Sequence, residues 1–178
     1  MSSRLPETVL QFGTGKFLRA FADLFIHEAN QTAQPVGRVV VVQSIGAERA
    51  RVFNEQGGRF HVAIRGLDAG QRVDRAVEVE SVSRALEATG DWDEVLAVAR
   101  SDSLRTIVSN TTEAGFALHP DGTAADAPPR SFPGKLLAVL KARFEAGLGP
   151  LTLLPCELLE QKFADQCGVK RSAAAGQD

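Results

Sequence analysis

The sequence predicts an α/β fold of the doubly wound kind, a mainly parallel sheet carrying an antiparallel hairpin insertion. Three observations carry that expectation. Short apolar strands alternate with amphipathic helical stretches along most of the chain. The first strand runs straight into two glycines one residue apart, Gly13 and Gly15, and a helical pattern follows at once. The run Val39-Val40-Val41-Val42 is uniformly apolar, as in a strand covered on both faces.

The elements follow in order. Residues 8–12 read as a short buried strand. From Phe17 to Ala29 the apolar residues Phe17, Phe21, Leu24, Phe25 and Ala29 recur at helical spacing and form one wide face. Pro35 and Gly37 break the chain before a second strand at 38–42. This strand–helix–strand unit of about 35 residues has the size of a mononucleotide-binding half. Residues 60–67 and 72–81 read as an antiparallel hairpin appended to the sheet, turning at Asp68-Ala69-Gly70. Residues 83–88 read as a short helix or turn. Asp91 is placed to cap a helix over 92–100, with Glu94 completing a box-like pair. A buried strand follows at 104–109, and then a proline- and aspartate-rich surface loop at 118–130. Ser131 caps a helix through about Ala146, with Pro133 tolerated in its first turn and Leu136, Leu140 and Phe144 facing inward. A last strand is expected at 151–154. Residues 1–160 therefore read as one domain, and 161–178 as a polar tail, truncated or disordered.

The chain has 178 residues, a hydrophobic fraction of 44% and a net charge of -2. No long basic or acidic run suggests a nucleic-acid partner or an anionic membrane surface. No apolar run approaches the roughly 20 residues that span a bilayer, and no secretory signal is read at the start. Cys156 and Cys167 lack metal-like spacing and fit reduced thiols, so a cytoplasmic setting is expected. His27, His61 and His119 are scattered, and no metal site is expected.

Ligands of open parallel sheets bind beyond the carboxyl ends of the strands. The candidate segments are residues 13–19, 43–46, 109–115 and 155–160. At the first, bare amide N–H groups at a helix start favour a phosphate, and Gly13 permits the tight turn. Leu18 stands where the usual fingerprint has a third small residue, so the two glycines alone also fit a plain strand–helix turn. Lys16 is placed to screen phosphate charge. Arg19 opposes the dipole of the helix start, which calls for a carboxylate or phosphate partner. Strand two ends in Gln43-Ser44 with no carboxylate until Glu48, leaving neutral groups for a ribose. Arg49 and Arg51 fit either a 2′-phosphate or, more simply, a solvated helix face. The segment Ser109-Asn110-Thr111-Thr112-Glu113-Ala114-Gly115 fits either a ligand loop or a Ser/Asn turn capping the next element. Lys135, near a helix start, reads as solvated. No Ser-His-Asp set, paired carboxylates or clear proton-transfer group can be assembled.

Four blocks together resemble one family: residues 10–21, Ile64-Arg65-Gly66-Leu67, residues 109–115 and Pro155-Cys156-Glu157-Leu158. They are similar to the mannitol dehydrogenase family of long-chain polyol and sugar-acid dehydrogenases. Asp126-Ala127-Pro128 and Ser131-Phe132-Pro133-Gly134-Lys135-Leu136 fit its sugar-acid branch, which interconverts tagaturonate and altronate in hexuronate catabolism. Polyol-specific members read asparagine after the cysteine and acid, where this chain has Leu158. The resemblance implies a Rossmann-type domain, NAD as cofactor and hydride transfer to a ketone. It maps the cofactor loop onto Leu10, Gln11, Phe12, Gly13, Thr14, Gly15, Lys16, Phe17, Leu18, Arg19, Ala20 and Phe21, and Gln43, Ser44, Asn110 and Thr111 complete the expected set. It also implies that catalytic groups come from a C-terminal helical domain, so a sugar acid is expected to bind only with that domain. The rival readings are a stand-alone nucleotide-binding module, a polyol dehydrogenase fragment, and a methyltransferase using S-adenosylmethionine. The last should carry an acid at the end of strand two, and none is present.

Overall fold

In the computed structural model, residues 5–117 and 127–157 are described. The expected tail, residues 118–126 of the expected loop, Cys167 and Leu158 lie outside them. Seven strands follow in order: β1 (Glu7–Phe12), β2 (Arg38–Gln43), β3 (Phe60–Asp68), β4 (Gln71–Val79), β5 (Val82–Glu87), β6 (Thr106–Ser109) and β7 (Thr152–Pro155). Five of them form a parallel sheet in the order β5-β2-β1-β6-β7. The chain winds outward from β1 through β2 to β5, then crosses back to β6. The strand order therefore reverses between β1 and β6, where open sheets leave a crevice.

Side chains alternate along each strand, so each face of the sheet gains its own core. On one face Val9, Val39, Val41, Val82 and Val108 pack with Leu18, Ala50 and Phe53. These last three come from α1 (Lys16–Ala20) and α3 (Glu48–Glu55), with α2 (Ala22–Ala29) between them in the chain. On the other face Leu10, Phe12, Val40, Val42 and Ile107 meet Trp92 and Val95 of α4 (Trp92–Ala99) and Phe116 of α5 (Glu113–Phe116). Phe132, Leu136 and Val139 of α6 (Phe132–Glu145) close the same core. The doubly wound expectation holds, both faces being covered by helices.

β3 and β4 make the expected hairpin, turning through Ala69 and Gly70 at φ 46° and 78°. They form a sheet of their own rather than an extension of the five-stranded one.

Four local expectations are corrected. Where residues 83–88 were expected as a short helix or turn, residues 83–87 belong to β5, parallel to β2, and only Ala88 lies in a turn. Pairing with a strand some 40 positions away in sequence overrides the local pattern. The outer edge of β5 is met by Asn54 of α3, whose amide donates to the Ala85 carbonyl and accepts from the Ala85 N–H. The second correction concerns residues 17–29, where the helix breaks at Phe21 (φ -120°, ψ -75°). The break re-phases the two halves: Leu18, Asp23, Leu24 and His27 turn inward, while Phe17, Phe21 and Phe25 line up in solvent with ring centroids 5.0 and 6.1 Å apart. Third, Ser131 caps α6 as expected, accepting from Gly134 N, yet Phe144 near the far end is exposed. Fourth, Asp91 precedes α4 but makes no cap bond; its carboxylate accepts from the Glu87 N–H, while Glu94 pairs with Arg84.

The opposite pole from the crevice is held by Arg143 of α6. Its buried guanidinium donates to the carbonyls of Gly149, Ala99, Ser101 and Leu104, joining the loops that enter β6 and β7.

Candidate functional site

β1 delivers the chain into the crevice at Gly13, whose N–H donates to the Val42 carbonyl at 3.1 Å. Its φ of 128° lies where side chains are rarely tolerated. A Cβ here would stand 3.0 Å from the Asn110 carbonyl oxygen and 3.2 Å from Leu18. Leu18 is thus the fully buried residue that seats the loop on the sheet, the task a small residue does in the usual fingerprint. Gly15 is the N-cap of α1, no side chain caps that terminus, and no acidic residue occupies the first turn. The crevice above it measures about 710 Å³ and is lined by Gly13, Thr14, Gly15, Ser44, Asn110 and Thr111 among others. The structure therefore brings three of the four expected segments, 13–19, 43–46 and 109–115, to one place.

Beneath the loop lies a buried polar pair that sequence reading missed. The amide of Gln11 donates to the Gly13 carbonyl at 3.1 Å and to Asp23 Oδ2 at 3.4 Å. Both residues are fully buried, and Gln11 Oε1 and Asp23 Oδ1 find no partner among the described residues. Burial pushes the Asp23 carboxyl up to about 7, against the hydrogen bond from Gln11 and the charge of Arg19. In its protonated form this carboxyl gains an O–H donor, the one group that two facing acceptor oxygens lack.

Gln43 lines the crevice, with its amide engaged inside the chain. Its Oε1 accepts from Ala50 N and its Nε2 donates to the Ile45 carbonyl, both at 2.7 Å, so the side chain caps α3 from outside. Ser44, Glu48 and Arg49 line the crevice beside it. Arg51 is solvated and pairs with Glu55 one turn on. Arg19 forms no salt bridge among the described residues, acting on Asp23 only at a distance; its guanidinium lies 5.9 Å from the ring centres of both Phe53 and Phe60. It borders a second cavity of about 330 Å³ shared with Thr14, Glu48 and Arg49. Lys16 and Phe17 are exposed and are not among the residues that line the crevice.

Beyond β6, Asn110 neither caps α5 nor turns locally. Its Nδ2 donates to the Cys156 carbonyl, and the Thr111 N–H donates to Glu157. These bonds tie the loop to the end of β7 and hold the far wall of the crevice. Burial pushes the Cys156 thiol up, with the charge of Glu157 adding to the effect, so it stays a thiol at neutral pH. Lys135, expected in solvent, is buried, and its Nζ donates to the Arg130 carbonyl at 2.8 Å. Among the described residues no cluster of three or more metal-ligating side chains forms, and no helix is long and apolar enough to cross a membrane.

The family model for the mannitol dehydrogenase Rossmann domain matches residues 7–165. The chain belongs to the mannitol dehydrogenase family. Its relatives include altronate oxidoreductase of Bacillus subtilis (strain 168), 40% identical over 89% of this chain and 34% of that protein. Another altronate oxidoreductase, from Halalkalibacterium halodurans, is 42% identical over 90% of this chain and 32% of its own length. This mannitol dehydrogenase family chain thus spans about a third of the curated relatives it matches. Its fold is that of Pseudomonas fluorescens mannitol 2-dehydrogenase in ternary complex with NAD and D-mannitol (TM-score 0.73, 18% identity, 88% of this chain and 35% of that one). D-Sorbitol dehydrogenase in substrate-free form is similar at TM-score 0.71 and 21% identity, over 87% of this chain and 35% of that one.

Proposed function

We propose that this chain is the NAD(H)-binding domain of an altronate oxidoreductase-like enzyme, serving hydride transfer between NADH and the ketone of a sugar acid. The observation that carries the reading is the uncapped start of α1 opening onto the crevice at the strand-order reversal, with Gly13 and Gly15 leaving the backbone bare. A pyrophosphate there meets amide N–H groups and the positive end of the helix. Altronate oxidoreductases about 40% identical to the chain support the substrate class. The NAD-bound mannitol 2-dehydrogenase that shares the fold supports NAD as the cofactor.

The test is titration of the chain with NADH and NADPH, followed by nicotinamide fluorescence. Saturable NADH binding, tighter than NADPH, is expected; a folded sample that binds neither refutes the reading. Binding without reduction of tagaturonate is expected of the chain alone, because the family resemblance assigns the catalytic groups to a C-terminal helical domain. Gly13→Ala should weaken NADH by roughly tenfold or more, since the added methyl meets the Asn110 carbonyl at a backbone angle costly for alanine. Unchanged affinity in that variant would detach the loop from the cofactor.

A further inference from the structure

The two walls of the crevice differ in kind. The glycine-loop wall, on the face of α1 and α3, offers backbone amides. The opposite wall, on the face of α6, offers a buried cation. Lys135 lies in the first turn of α6 and is only 4% exposed. Its ammonium donates to one main-chain carbonyl, that of Arg130, and pairs with no carboxylate among the described residues. The exposed Arg130 borders the same crevice and brings a second positive charge.

This placement is unfavourable twice over. Burial strips water from an ammonium, and the start of a helix is its positive end. A lysine with only a packing role normally extends its stem and leaves its charge in water. An anion entering the crevice removes both penalties at once, by supplying a counter-charge to Lys135 and to the helix terminus together. Burial also holds the Lys135 ammonium below its ordinary range, as expected for a cation awaiting a partner.

We propose that Lys135, with Arg130 beside it, is the site that takes the carboxylate of the sugar-acid substrate. The inference rests on the hydride-transfer reading above and departs from the expectation that a sugar acid binds only with a C-terminal domain, because Lys135 and Arg130 belong to this chain and line its crevice. The cofactor's pyrophosphate is met across the crevice at α1, so a second oxyanion on the α6 side belongs to the other reactant. A sugar acid differs from a polyol in that one ionised group, which makes this wall the place where the two substrate classes are told apart.

The experiment uses the full chain with 13C-labelled lysine, reading the Lys135 side-chain signal by NMR, with Lys135→Met for assignment. The chain is titrated with NADH, then with altronate, and separately with the neutral polyol altritol. Altronate should move the Lys135 signal saturably, at least about tenfold more tightly than altritol, as a charge-assisted contact requires. Lys135→Met should lose altronate saturation and keep NADH affinity within about twofold, and Lys135→Arg should recover part of the altronate response. Three outcomes overturn the proposal. A signal moved fully by NADH, with nothing added by altronate, assigns the oxyanion to a cofactor phosphate. Equal responses to altronate and altritol remove the charge reading. No response to any of the three removes the site. NADH fluorescence separates the two levels: a chain that binds NADH while Lys135 stays silent loses only this inference, and a chain that does not bind NADH loses the reading beneath it.

Discussion

Asparagine in place of Asp23 is expected to stabilise the chain by an amount that grows with pH, reaching about 4 kcal/mol above neutrality relative to pH 3. The sign follows from proton counting. The Asp23 carboxyl titrates at about 7 in the folded protein and has a reference value of 3.8. Between those values the folded state keeps a proton that the unfolded state has released. Stability from this group therefore falls as pH rises through that window and is flat above it. Asparagine never ionises, and its amide can donate to Gln11 Oε1 while its carbonyl accepts from Gln11 Nε2. Urea unfolding of both proteins from pH 4 to 9 is the measurement. A stability difference that does not change with pH would show that Asp23 keeps its charge in the fold. Because the same Gln11 amide holds the Gly13 carbonyl, NADH affinity of the parent chain should weaken as pH rises through about 7, where Asp23 ionises in the folded chain, and that of the variant should not.

The second large effect belongs to Arg143. Arg143→Met should cost about 3 kcal/mol, because it removes the guanidinium's bonds to four carbonyls and leaves those of Ala99 and Gly149 without their donor, while Leu104 and Ser101 keep bonds from Arg105 and from the Leu104 N–H. Arg143→Lys should restore only part, since one ammonium cannot serve four carbonyls spread around a planar fork. NADH affinity of the folded variants should match the parent, because the cluster lies at the pole away from the crevice. Denaturant midpoints near the parent value for Arg143→Met would contradict the buried network.

The parts of the molecule that were legible from the sequence are those fixed by short-range rules. The apolar run of β2, the glycines after β1 and the proline-led start of α6 each carry their own local signal. β5 carried none, because the backbone of residues 82–87 becomes a strand only when β2 and Asn54 offer it partners. The outward phenylalanines were misread for a related reason. A helical wheel assumes one continuous helix, and the break at Phe21 re-phases everything after it.

The site shows the same division. Gly13 was readable because only glycine suits its backbone, at φ 128°, and Gly15 because the pair follows a strand at a helix start. Gln43 was placed correctly at the end of β2, yet its amide is consumed in capping α3, a use that depends on where Ala50 N ends up in space. Lys135 and Asp23 looked like ordinary polar residues on helices. Their burial comes from how α6 and α2 are set against the sheet and the loop, information spread over the whole domain.

The rings of Phe17, Phe21 and Phe25 also govern how the chain behaves as a solute. Three aromatic side chains in contact at the surface make a continuous apolar strip, and a net charge of -2 supplies little mutual repulsion between molecules. Attraction between such strips strengthens with excluded salts such as sulfate and weakens on cooling, the reverse of what charge pairing would give. The colloidal properties of concentrated samples are therefore written largely in three residues on the outer face of α1 and α2, away from the core that makes the domain fold.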